Sequence, residues 1–201
     1  MSKLAAELLI REINKKPNII LGFATGKTQI GLYKELVKAY KNKKVDFSKA
    51  RTFNLDEYYP ISKKNKDSYY YYMHKNLFDN VNIKEESINL LDGQAKNWKK
   101  ECLDYENKIK ENKIDIQILG VGVNGHIGFN EPGSDLNSKT RLIELTPETK
   151  KINKINKKAL TIGISTIMKA RKLILLASGK NKAEAIKCLA DCEPNKCYPV
   201  S

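Results

Sequence analysis

The chain has 201 residues, 41% of them hydrophobic, which fits one domain able to bury a sizeable core. No apolar run is long enough for a membrane span, and the opening M-S-K-L-A-A-E-L-L-I-R-E-I carries acids and no cleavage site, so the expectation is a soluble cytoplasmic protein without a membrane partner. The net charge of +14 comes overwhelmingly from lysine, with arginine only at positions 11, 51, 141 and 171 and no nucleic-acid motif, so attraction of a small anionic substrate, or mere solubility, is favoured over a nucleic-acid partner.

Residues 2–14 set Leu4, Leu8, Leu9 and Ile13 on one side of an amphipathic helix, which Pro17 ends. Asn18 to Phe23 reads as a short apolar strand. A-T-G-K-T then leads into a second helix with Ile30, Tyr33, Leu36, Val37 and Tyr40 on its apolar face, which makes the βα unit of a parallel sheet. The junction G-F-A-T-G-K-T resembles the nucleotide phosphate loop but is one residue short, with three residues between Gly22 and Gly26 where four are needed. Two readings remain: small residues at a helix N-terminus whose unpaired N–H groups suit an anion, or a tight turn with a threonine cap.

Arg51 to Tyr58 reads as another short strand ending in two acids, Asp56 and Glu57, at the strand end where open parallel sheets bind ligands. A polar connection follows, then a tyrosine-rich helix capped by Asp67 or Ser68 and running to about Asp79, with His74 as a packing residue on it. Ser87 to Leu91 reads as a strand. A helix from about Ala95 to Asn112 carries Trp98, Cys102, Tyr105 and Ile109 on one face.

The most informative stretch is Ile114 to Pro132, a buried strand that breaks into a glycine-rich loop. The loop holds His126, one of two histidines, with Glu131 five residues on and Asn124 two before. An imidazole beside a carboxylate that can orient it is suited to moving protons. Gly120, Gly122 and Gly125 also spell the dinucleotide fingerprint, but that motif needs a helix to open at the third glycine, and H-I-G-F-N-E-P-G is no helix start.

Thr140 to Leu145 alternates like a strand, T-P-E starts a short helix with proline in its first position, and Lys150 to Lys158 reads as polar loop. Lys172 to Ala177 reads as a buried strand. It meets Ser178, Gly179 and a helix from Lys180 to Ala190, a second junction able to hold an anion through Lys180 and Lys182. Cys102, Cys188, Cys192 and Cys197 are read as reduced thiols, because the C-terminal three have no fourth zinc ligand nearby. With neither repeat nor linker, residues 1–201 form one α/β domain with a mainly parallel sheet.

Three segments go beyond generic α/β pattern: L-G-F-A-T-G-K-T at 21–28, T-F-N-L-D-E-Y at 52–58 with S-Y-Y-Y-Y-M-H-K-N-L-F at 68–78, and G-V-G-V-N-G-H-I-G-F-N-E-P-G at 120–133. On these segments the chain resembles the glucosamine-6-phosphate deaminases, which convert glucosamine 6-phosphate and water to fructose 6-phosphate and ammonia. The likeness extends through I-N-L-L-D-G at 88–93 and A-L-T-I-G at 159–163; the related 6-phosphogluconolactonases share the G-H turn but lack N-E-P. The resemblance implies a Rossmann-like open, mainly parallel sheet with helices on both faces. It also implies a hydrolytic isomerase-deaminase of amino-sugar catabolism that needs no cofactor and no metal.

Carried over by residue, Asp56 is the base that moves a proton between C2 and C1, His126 opens the pyranose ring, Glu131 orients His126, and Asn124 completes the relay where many members have aspartate. Asparagine there is expected to hold one imidazole tautomer by hydrogen bonding. Thr25, Gly26, Thr28 and Lys182 match phosphate contacts, and Lys27 replaces a usual glycine and adds a cation. The chemistry of the residues agrees, since ring opening needs a group titrating near neutrality and enolisation needs a carboxylate over C2.

The resemblance also implies elements that this chain lacks: a strand before the first helix, and a strand and helix after Ser201. About nine residues between Asn153 and Ile155 are missing too, including a phosphate-clamping arginine where only Lys154 stands. The domain is therefore expected to be incomplete at both ends. Ser134 and Arg141 match an activator site in which Ile143 replaces a lysine, and the sequence leaves a homo-oligomer open. Competing readings are a non-catalytic or decayed sugar-phosphate binder and a phosphogluconolactonase-like hydrolase.

Overall fold

Strands covered on both faces carry apolar side chains in both directions, and I-L-G-F and I-Q-I-L-G, at the centre of this fold, do so. In the computed structural model, which describes residues 1–153 and 155–201, the first half runs α1 (Ser2–Lys15), β1 (Ile20–Phe23), α2 (Ile30–Lys41), β2 (Arg51–Asn54), β3 (Asp56–Tyr59), α3 (Tyr69–Asn76), β4 (Ile88–Asn89) and α4 (Trp98–Glu111). The second runs β5 (Ile116–Gly120), β6 (Arg141–Glu144), α5 (Pro147–Asn153), β7 (Lys158–Thr161), α6 (Ile164–Ile167), β8 (Lys172–Leu176) and α7 (Ala183–Asp191). A five-stranded parallel sheet has the order β4-β2-β1-β5-β8, and a small antiparallel sheet the order β3-β7-β6.

Alternation along the parallel strands feeds two cores. Leu21, Phe23, Ile116, Ile118 and Leu176 pack with Leu9 and Ile13 of α1, Leu32, Tyr33 and Leu36 of α2 and Met73 of α3. Phe53 and Leu119 turn the other way, toward Cys102, Tyr105 and Ile109 of α4 and Ala185 of α7. This is the expected α/β layering, with helices on both faces. Burying one such Leu or Phe contributes about 1.5–3 kcal/mol.

Several expected elements change in ways that matter for the site. The segment read as a single strand over Arg51–Tyr58 is two strands in two sheets, broken at Leu55. Leu55 N donates to Phe23 O of the parallel sheet at 3.1 Å, and its carbonyl accepts from Ile162 N beside β7 at 2.8 Å. Local sequence cannot reveal that switch, because both partners are remote. The polar tract Lys150 to Lys158 contains the end of α5, through Asn153, and the first residue of β7, Lys158; the remaining residues of β7 are buried by pairing with β3 and β6. β8 is an edge strand with Leu173 39% exposed, not the buried strand expected. In α1, Leu4 points to solvent at 61% exposure while Ala5, Ala6, Leu9 and Ile13 face the core. Cys188 and Cys192, four residues apart at the end of α7, are joined as a disulfide, against the reduced-thiol reading; their Cα atoms lie 4.9 Å apart. Lys154, expected to be all that remains of a phosphate clamp, lies outside the described residues.

Candidate active site

The loops at the carboxyl ends of β1, β2 and β5 converge on a pocket of about 180 Å³, the position where an open parallel sheet takes a ligand. One wall is the turn after β1. Tyr33 Oη donates to Ala24 O, and Tyr72 Oη donates to Gly26 O at 2.7 Å, so two carbonyls of the turn are tied back to the helices behind it. Gly26 sits at φ 115, a backbone region that side chains disfavour. A short 3-10 turn, Lys27–Gln29, then opens α2, and its first N–H groups have no partner inside the helix. Gln29 is buried, and with its amide nitrogen toward Thr25 O and its oxygen toward Gly120 N it makes two bonds of 3.2 Å that lock the turn to the end of β5. Thr25, Gly26, Lys27 and Thr28 all line the pocket.

Asp56 forms another wall. It opens β3 opposite Thr161 of β7 and is 5% exposed. Burial, and secondarily the neighbouring charge of Glu57, pushes its carboxyl up to about 8. Gly128 lies against it at φ 56, and a Cβ there would come within 3.3 Å of Asp56 Oδ2. Both acids therefore open β3, the second of the two strands into which Arg51–Tyr58 divides. Glu57 turns the other way and accepts backbone N–H bonds from Tyr58 at 2.9 Å, Tyr69 at 2.8 Å and Tyr70 at 2.8 Å. Burial raises its carboxyl to about 7 against the pull of those donors. Together with the Ser68 cap, Glu57 fixes the start of α3 and sets Tyr69 in the pocket wall, stacked on Phe129 with ring centres 5.8 Å apart.

His126 completes the pocket. Gly122 donates its N–H to His126 O at 2.8 Å, and it must lack a side chain because the imidazole fills that space, 2.3 Å from where a Cβ would sit. His126 Nδ1 is 3.3 Å from Glu131 Oε2, which is ion-pair range. The alignment is not that of a hydrogen bond, so this buried nitrogen has no well-formed one. Glu131 is held on both oxygens. Asn124 Nδ2 donates to Oε2 at 2.9 Å and Thr149 Oγ1 donates to Oε1, with Thr146 Oγ1 3.4 Å from the same oxygen. Burial alone would raise this carboxyl, but the imidazole, the Thr149 hydroxyl and the Asn124 amide bring it down to about 2. Asn124 does not touch the imidazole: its Oδ1 accepts the backbone N–H of residue 126 at 3.3 Å. It acts on Glu131 and the loop rather than on the tautomer as expected.

Of the residues singled out in the sequence, Asp56, His126, Thr25, Gly26, Lys27 and Thr28 line one pocket, with Glu131 and Asn124 directly behind the histidine. Lys182 does not join them. It lies at the same edge of the parallel sheet, after β8, but lines a separate surface hollow with Ser178 and Gly179. Arg141 is engaged with Asn130 Oδ1 at 2.9 Å and Ser134 Oγ at 3.4 Å. Sequence reading missed Gln29, Tyr69, Phe129, Thr146 and Thr149. Tyr69 and Phe129 lie in segments that carry the resemblance, and Thr146 opens the T-P-E helix start, but none of the five was given a site role.

The family described as glucosamine-6-phosphate isomerases/6-phosphogluconolactonase matches residues 1–201. A glucosamine-6-phosphate deaminase of Clostridium novyi is 51% identical over 195 residues, covering 92% of this chain and 81% of that protein. One of Clostridium botulinum is 48% identical over 210 residues, covering 100% of this chain and 86% of the relative. A solved monomeric glucosamine-6-phosphate deaminase superposes with a TM-score of 0.95 at 36% identity, over 99% of this chain and 86% of the other. A 6-phosphogluconolactonase from Thermotoga maritima shares the fold at a TM-score of 0.76 and 19% identity, over 96% of this chain and 89% of its own. With its pocket at the expected sheet edge, and with these relatives matched over most of their length, the chain belongs to the glucosamine-6-phosphate isomerase/6-phosphogluconolactonase family.

Proposed function

We infer that this protein is a glucosamine-6-phosphate deaminase that converts glucosamine 6-phosphate and water to fructose 6-phosphate and ammonia. The observation that carries the reading is the shared pocket of Asp56 and His126, across from the turn Thr25–Thr28. The turn N–H groups and the Lys27 ammonium take the phosphate, which places the sugar carbons toward the two titratable groups. His126, backed by Glu131, moves the proton between the ring oxygen and the C1 hydroxyl, and the pyranose opens to the aldehyde. As one ammonium proton passes to the C1 carbonyl oxygen, Asp56 takes the C2 proton, giving the C1–C2 enolamine, and returns it to C1. This leaves an iminium at C2, which water hydrolyses to the ketone with loss of ammonia.

The charge of Asp56 favours an amino sugar over a lactone. Its carboxyl is pushed up to about 8 by burial and, secondarily, by Glu57, so a substrate that brings an ammonium group on C2 supplies a counter-charge, whereas a phosphogluconolactone does not. Assaying both substrates tests the reading. Ammonia and fructose 6-phosphate from glucosamine 6-phosphate are expected. Lactone hydrolysis without ammonia release would select the hydrolase instead, and binding without turnover a non-catalytic sugar-phosphate protein.

A further inference from the structure

Thr146 and Thr149 stand behind the His126–Glu131 pair, and their hydrogen bonds run in one direction. Thr146 Oγ1 accepts the backbone N–H of Thr149 at 3.2 Å, as a helix cap does. Its single proton has two acceptors in range, Thr149 Oγ1 at 3.1 Å and Glu131 Oε1 at 3.4 Å. The shorter contact assigns that proton to Thr149, whose own proton then goes to Glu131 Oε1. Thr149 is 4% exposed, so water cannot readily take over its bond. With Oε1 occupied, Oε2 is the oxygen left to face the imidazole, and it also takes the Asn124 amide.

We propose that Thr149 is a positioning residue for the ring-opening step, its hydroxyl holding the Glu131 carboxylate so that Oε2 stays against His126 Nδ1. The part of this that concerns turnover rests on the deaminase reading above; the part that concerns the Glu131 geometry does not. Thr149→Val keeps the shape and deletes the hydroxyl. Loss of one hydrogen bond to a charged group is expected to lower kcat about tenfold and leave KM within about twofold, because Thr149 reaches the reaction only through Glu131. Thr149→Ser is expected to restore kcat. On a Glu131→Gln background Thr149→Val is expected to cost nothing more, which a general weakening of the fold would not produce. Crystal structures of the Val and Ser variants give a reading free of turnover: the contact between Glu131 Oε2 and His126 Nδ1 is expected to be lost in the first and kept in the second. Glu131 unmoved in Thr149→Val, or the same kcat loss on both backgrounds, would overturn the proposal. A parent chain that releases no ammonia would sink the deaminase reading, while the Glu131 geometry still decides whether Thr149 positions it.

Discussion

Two buried aspartates stand at opposite ends of the central sheet, and their surroundings differ. Asp115 precedes β5 at the amino ends of the strands and is 7% exposed. Its carboxylate takes Lys16 Nζ at 2.8 and 2.7 Å and Ile20 N at 2.9 Å, with Arg171 Nε at 3.5 Å. These contacts tie together the starts of β1, β5 and β8 and leave no acceptor for a ligand. Asp56, at the carboxyl ends, is just as buried, yet burial pushes its carboxyl to about 8. One aspartate is spent on the fold, and the other carries a cost that a cationic substrate can relieve. What separates the two buried acids is the company of cations, not the degree of burial.

Swapping charge for a neutral group at each site breaks that comparison in opposite ways. Asp56→Asn is expected to cut ammonia release about 10²- to 10⁴-fold, the usual contribution of a positioned base, with no fall in the unfolding midpoint. Asp115→Ala is expected to lower stability by about 2–3 kcal/mol in urea titration while kcat per folded molecule stays the same.

A third effect is on the pH dependence of stability. Asp56 binds its proton more tightly folded than unfolded, with about 8 against 3.8, and Glu57 shifts the same way. The folded state therefore holds extra protons between those values, and stability falls as pH rises from about 4 to about 8. Unfolding free energies at pH 5 and pH 8 are expected to differ less in Asp56→Asn than in the parent; an equal difference would mean that Asp56 does not carry this charge cost.

Much of this was legible in the sequence. The run Gly120 to Gly133 displays its histidine, its one acid and its glycines locally, and the turn Thr25–Thr28 follows an obvious strand, so both ends of the pocket were readable. The partners of each group were not. Leu55 switches sheets through bonds to Phe23 and Ile162, Gln29 reaches Gly120, and Thr149 reaches Glu131, all long-range contacts that no periodicity encodes. Lys182 was assigned to the phosphate through the resemblance, but it follows β8 at the sheet edge, with β5 between that strand and β1, and lines a separate hollow. β7 escaped notice because Lys157 and Lys158 mask a short run whose burial depends on its two neighbours.

The most direct test follows the hydrogen on C2. Glucosamine 6-phosphate deuterated at C2 should release ammonia more slowly than the protiated sugar, with label appearing at C1 of fructose 6-phosphate or in water, and Asp56→Asn should do neither at a comparable rate. Turnover by Asp56→Asn at the parent rate, with the same fate of the label, would contradict the assignment of Asp56 as the base.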